Sequence, residues 1–283
     1  MNFSTVSGAG NLPKVVLEAA DGARAEFYLH GAHVTSWRPA GDDAERMFLS
    51  ARSQFEAGAA IRGGIPVCFP QFATQGPLPN HGFARVNAWE LARAGREDDG
   101  SARAVLRLAD SEMTRRLWPH RFVLELAVTV TGRTLDVSLA VTNTGAGEFT
   151  FTAALHTYLR VIDISKTAVR GLVGAGYRDK VLGRDDCRES APELRIEGEI
   201  DRVYRVAPPD LEVREQDRSM ALRATGFPDT VIWNPGAVRA AAIADFEPGG
   251  ETRMLCVEAA AAAMPVVLAA GATRRGSQML TAR

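Results

Sequence analysis

The sequence predicts an all-β protein: a large antiparallel sandwich or barrel with only a few short helices. Three observations carry that expectation. A long central stretch alternates apolar and polar residues on both sides of a glycine turn. Short runs rich in β-branched and aromatic residues recur from one end of the chain to the other. No stretch carries an apolar stripe of helical period over more than a turn or two.

In chain order, "KVVLEA" from Lys14, "AEFYLH" from Ala25 and "HVTSW" from His33 read as the first strands. "IRGGIPVCFPQF", Ile61 to Phe72, breaks the pattern. Its prolines remove backbone donors and make it a poor central strand, and its glycines let the chain pass where side chains would clash. "GREDDGS" is a solvated turn leading to "AVLRLA". In "FVLELAVTV", Phe122, Leu124, Leu126, Val128 and Val130 share one face; after "TGRT", Leu135, Val137, Leu139 and Val141 resume the alternation, which makes a long antiparallel hairpin with one buried face. "FTFTA", "LEVRE", "MALRA", "TVIWN" and "LCVEA" continue the series, and "AAIADF" offers at most a turn or two of helix. No linker, repeat or low-complexity segment divides the chain, so residues 1–283 are expected to form a single domain.

The 283 residues carry a formal net charge of -1, with 24% charged and 46% hydrophobic residues. Nucleic acid needs a clustered basic surface and an anionic membrane needs a polybasic segment, so neither is an expected partner. The N-terminus lacks the charged start and apolar core of a signal peptide. "AAAAAMPVVLAAGA" from Ala259 is interrupted by Pro265 and Gly271, and falls short of the roughly 20 residues a spanning helix requires. Cys68, Cys187 and Cys256 lack paired spacing, which fits reduced thiols. A cytoplasmic monomer is the resulting expectation, with no metal and no cofactor.

Five histidines allow each to be weighed. His30 and His33 flank a glycine and read as structural or surface residues; His120 reads as a turn residue. His81 stands in "LPNHGFAR". His156 is the one side chain of the apolar run "FTAALHTYL" that titrates near neutral pH, and an imidazole is costly to bury there without a partner or ligand. Glu258, in "MLCVEAAAAAMP", is equally isolated, and such a carboxylate is either pushed up in pKa or held ionised by a partner. Together His81, His156 and Glu258 form a toolkit for acid–base chemistry near neutral pH. There is no Gly-x-Ser-x-Gly elbow, and "RGG" lacks the pattern of a dinucleotide loop.

The succession "GAHVTSW", "IRGGIPVCFPQF", "LPNHGFAR", "LWPHRF", "ALHTYLRVIDIS", "EIDRVY", "VIWNP" and "CVEAA" resembles the hexose-6-phosphate mutarotases, or glucose-6-phosphate 1-epimerases, a branch of the aldose 1-epimerase superfamily. The resemblance runs nearly end to end, weakening over residues 185–197 and 236–253. It implies the galactose mutarotase-like supersandwich, a large antiparallel β-sandwich. It also implies His156 and Glu258 as catalytic residues, with His81 and Asp201 at the sugar and Arg62 and Arg85 at its 6-phosphate. Gln71, Trp233 and Asn234 match motif positions near the site. On this reading the Pro/Gly loop aims Arg62 and Gln71 into the mouth of the sandwich, unless Arg62 instead pairs with a structural carboxylate.

The implied reaction exchanges the α and β anomers of a hexose 6-phosphate. Glu258 acts as base on the C1 hydroxyl and His156 as acid on the ring oxygen. Three alternatives remain at this stage: a mutarotase for unphosphorylated aldoses, a glycoside hydrolase using Asp201 and Glu258, and a non-catalytic sugar-phosphate-binding protein.

Overall fold

The computed structural model describes residues 3–283. Three antiparallel sheets account for almost all regular structure. Strands Phe3–Ser7, Pro13–Glu18, Arg24–Tyr28 and His33–Arg38 form the first, a meander in chain order. The second has nine strands, and the long hairpin Phe122–Thr131 and Thr134–Asn143 lies within it, flanked by Ala102–Ala109 and Thr273–Ala282. The third has eight strands. Its path runs from Arg184–Arg188 and Gly176–Asp179 through Ile200–Tyr204, Asp229–Asn234 and Met254–Leu268 to Phe149–Leu155 and Val67–Cys68, while Tyr158–Arg160 also pairs with Met254–Leu268. One apolar cluster draws buried residues from all three sheets, including Val15, Phe27, Leu126, Leu139, Leu155 and Val257.

Two α-helices lie among the described residues. Glu112–Leu117 has no apolar period to announce it, but Ser111 caps it by accepting the N–H of Thr114. The second, Gly236–Ala242, follows Pro235 and ends before most of the "AAIADF" segment. No helix among the described residues is long and apolar enough to cross a membrane. The apolar run from Ala259 is instead the second half of the Met254–Leu268 strand. Its register against Phe149–Leu155 shifts between Phe151 and Ala153, and the bulge accommodates Pro265. Asp229 Oδ2 accepts the N–H groups of Ala262 and Ala263 there, each at 2.8 Å.

The period of two along the eight-stranded sheet positions the site. Val257, Ala259, Leu155, Ile232 and Tyr204 face the main core. Their alternates on the opposite face include Cys256, Ala260, Tyr158, Ala154, Trp233, Val231 and Val203, gathered in two smaller apolar clusters. Glu258 and Asp201 share that second face by their position in the same strands, with Val231 opposite Glu258 and Trp233 opposite Asp201. This second face is the floor of a cavity.

Candidate active site

The cavity has a volume of about 360 Å³. His156 and Glu258 lie at its floor, Asp201 and Trp233 beside them, and Arg62, Lys180 and Arg239 supply its cationic groups. His156 Nδ1 is 3.4 Å from Glu258 Oε1, although the two residues are 102 apart in the chain. The fold makes this contact because the chain bends at His156 out of the Phe149–Leu155 strand and returns along Met254–Leu268. His156 N–H donates to Pro66 O at 3.0 Å, and Val257 N–H donates to Thr157 O at 3.0 Å.

The imidazole is held on three sides. Tyr158, at the start of the following strand, stacks on it with planes 11° apart and centroids at 4.8 Å. Trp233 presents an edge at 5.9 Å and His81 an edge at 5.1 Å. Burial, aided by the charges of Arg85 and Arg62, keeps the His156 pKa well below the usual histidine value. Burial likewise raises Glu258 well above the usual carboxylate range, with the negative charge of Asp201 adding to it. His156 Nδ1 and Glu258 Oε2 are buried and have no hydrogen-bond partner among the described residues.

His81 takes a positive φ of 65°, and Gly82 after it has φ 70°. A Cβ on Gly82 would lie 2.2 Å from Phe69 O, so only glycine fits this close approach. Ala73 N–H donates to His81 Nδ1 at 3.2 Å, which places the imidazole proton on Nε2. Burial lowers the His81 pKa well below its ordinary value, and the neighbouring His156 adds to the effect.

Gln71 does not line the cavity. Its amide donates to Ala73 O and Leu78 O at 2.9 and 3.0 Å and accepts the N–H of Leu78 at 2.9 Å, bracing the loop that carries His81. All of these bonds go to backbone, so the expectation that the Pro/Gly loop aims Gln71 at a ligand is corrected: it is a brace. Arg62 does line the cavity, and it also pairs with a carboxylate. Its Nε donates to Asp245 Oδ1 at 3.2 Å and its Nη1 to Tyr158 OH at 3.1 Å. Arg85 is not among the lining residues; its Nη2 donates to Asn80 O at 2.8 Å, while its Nε is buried without a partner among the described residues.

Asp201 is buried and bound by Lys180, whose Nζ lies 2.6 Å from Oδ2. Asn234 turns away from the site, its amide donating to Glu251 O and Met254 O. His33 and His30 are structural: His33 Nε2 lies 2.6 Å from Gly63 O and His30 Nε2 lies 2.6 Å from Ala59 O, so both tie the loop ahead of Ile65 to the first sheet.

Three contributors were not legible in the sequence. Lys180, at the turn after Gly176–Asp179, looks like any solvated lysine. Asp245 lies in the "AAIADF" segment, and Arg239 in the 236–253 stretch where the resemblance fades. Only Tyr158 had a signal, its i, i+2 spacing from His156.

The chain matches the aldose 1-epimerase family over residues 13–281. A protein of Cenchrus ciliaris, provisionally named a glucose-6-phosphate 1-epimerase, is 37% identical, the match covering 98% of this chain and 87% of that one. An Escherichia coli protein with the same provisional name is 40% identical over 84% of this chain and 79% of its own length. A crystal structure from Salmonella typhimurium, provisionally described as a mutarotase, superposes with a TM-score of 0.90 at 31% identity, covering 99% of this chain and 93% of that one. With the family matched from the second strand to the last, the chain belongs to the aldose 1-epimerase family, a family of isomerases.

Proposed function

We propose that the cavity binds a hexose 6-phosphate, in the first instance glucose 6-phosphate, and exchanges its α and β anomers. The observation that carries this reading is the contact between His156 and Glu258 at the floor of a sugar-sized, cation-lined cavity. The provisional names of the relatives from Cenchrus ciliaris and Escherichia coli point to the same substrate.

Opening the ring removes the C1 hydroxyl proton, breaks the bond from C1 to the ring oxygen and protonates that oxygen. Rotation about C1–C2 and reclosure then give the other anomer. Glu258 takes the hydroxyl proton and His156 supplies the other, so the pair's net charge is unchanged through the step. Burial disfavours both ions, and this makes a carboxylate there a stronger base and an imidazolium a stronger acid. His81 Nε2–H donates to oxygen near the reacting centre, and Asp201 holds sugar hydroxyls.

For the phosphate, the reading uses Arg62 and Lys180 at the cavity wall, with Arg85 adding positive charge from behind. Guanidinium suits the task because its planar fork matches paired oxyanion acceptors.

A second reading, exchange of unphosphorylated aldoses, is favoured by one specific observation. Every cation of the wall already has a carboxylate: Arg62 with Asp245 at 3.2 Å, Lys180 with Asp201 at 2.6 Å and Arg239 with Glu199 at 3.1 Å. Exchange spectroscopy on glucose and glucose 6-phosphate separates the two. The phosphate reading predicts acceleration of the phosphorylated sugar at concentrations where glucose exchange is unchanged; equal acceleration of both would replace it with the second.

A further inference from the structure

The pair at the cavity floor has a third neighbour that proton transfer does not use. Cys256 stands two residues before Glu258 on the same strand, so its side chain shares the face of the sheet that carries Glu258. One ligand atom each from His156, Cys256 and Glu258 all lie within 4.8 Å of one another, and all three residues are buried. The 3.4 Å between Nδ1 and Oε1 matches the edge of a tetrahedron around zinc, about 3.4 Å for metal–ligand bonds of about 2.1 Å. Cys256 would close the third corner with a movement of about 1 Å. Two further observations point to a cation. Nδ1 of His156 and Oε2 of Glu258 are buried without partners, although buried polar atoms are nearly always satisfied. Both residues also line the cavity, so an ion held between them is reachable from it.

We infer that His156, Cys256 and Glu258 form a site for a borderline-soft divalent cation such as zinc(II), and that its occupation competes with the sugar. The donor set of one nitrogen, one sulfur and one carboxylate oxygen favours zinc over magnesium or calcium, which take oxygen ligands. Binding releases the thiol proton, and the carboxyl proton that Glu258 carries, to solvent and engages both residues of the acid–base pair, so the ion blocks anomer exchange and does not assist it. The competition rests on the proposed function; the site itself does not.

The test is cobalt(II) titration of the full chain in a Cys187→Ser background, which removes the one cysteine that is not buried. Expected is a near-ultraviolet thiolate-to-cobalt band with tetrahedral visible absorption, bleached by added zinc(II). Cys256→Ser should abolish the band and weaken zinc affinity at least by the roughly 10–100-fold that even an outer ligand partner is worth. Circular dichroism of that variant separates loss of the site from loss of the fold, and Glu258→Gln gives a second ligand deletion expected to weaken binding likewise. Absence of the band in the folded Cys187→Ser protein, or its persistence in Cys256→Ser, overturns the site. A band that glucose 6-phosphate fails to displace at concentrations that saturate exchange overturns the competition while leaving the site intact.

Discussion

His156 Nδ1 lies 3.4 Å from Glu258 Oε1, and neither group has a counter-ion of its own at hydrogen-bonding distance among the described residues. Asp201, whose negative charge adds to the rise in the Glu258 pKa, is engaged by Lys180 at 2.6 Å. On the proposed reading, the sugar joins the two groups by giving its C1 hydroxyl proton to Glu258 and taking one from His156 at the ring oxygen.

Removing the carboxylate separates activity from stability. Burial raises the Glu258 pKa, so above the unfolded value near 4.5 the unfolded chain ionises this group more readily than the folded one. Stability is therefore lost as pH rises from that value towards the raised folded one. Glu258→Gln should lower exchange by ~10²–10⁴-fold while raising the melting temperature at pH 7. Calorimetry beside exchange spectroscopy checks both halves; a lower melting temperature would contradict the assigned direction.

His33 predicts an acid sensitivity outside the site. Its imidazole is wholly buried against Gly63 O, and desolvation takes its pKa from 6.5 down to about 3. The folded state refuses a proton that the unfolded chain accepts. Stability is therefore fully present above pH 6.5 and falls by about 1.4 kcal/mol per pH unit between 6.5 and 3 from this group alone. His33→Gln should reduce the slope of stability against pH by one proton in this window, as read from denaturant midpoints. An unchanged slope would show that His33 protonates in the folded state.

Gln71 is expected to affect the chemistry only through the loop. Its three hydrogen bonds to Ala73 and Leu78 hold the segment that carries His81 at its positive φ. Gln71→Ala should cost about 1–3 kcal/mol of stability and lower turnover on phosphorylated and free sugars in equal proportion. A selective rise in KM for the phosphorylated sugar would instead place Gln71 at the ligand.

The cations of the wall are ranked by position. Lys180→Met and Arg62→Ala each remove a group that faces the cavity, whereas Arg85 lies outside the lining. A charged hydrogen bond contributes about 1.5–3 kcal/mol, so each of the first two should raise KM for glucose 6-phosphate by roughly 10–100-fold. Arg85→Ala should raise it less. Steady-state kinetics on all three variants checks the order, and a larger effect at Arg85 would return the phosphate to that side.

The hairpin at 122–143, the strand series and the paucity of helix were legible because period-two alternation reports directly which face of a strand is buried. His156 and Glu258 stood out for a related reason: an ionisable side chain inside an apolar run must have a partner. Their pairing with each other came from the family resemblance alone, since no local pattern encodes an approach across 102 positions. Gln71 misled because a glutamine among prolines looks the same whether it serves a ligand or its own loop. Lys180 and Asp245 were invisible because single charges near turns are ordinary on a surface, and only tertiary packing turns them inward. Cys256 read only as a reduced thiol without paired spacing, although its distance of two residues from Glu258 already put both on one face.

The central claim is that Glu258 and His156 work on one hemiacetal carbon as a unit, and a double-mutant cycle tests it most directly. Exchange rates of glucose 6-phosphate should be measured for the native chain, His156→Ala, Glu258→Gln and the double variant, all verified as folded. The account predicts that each single change removes nearly all the acceleration and that the double variant is scarcely slower than either. Losses that multiply, as for independent groups in separate pockets, would contradict it.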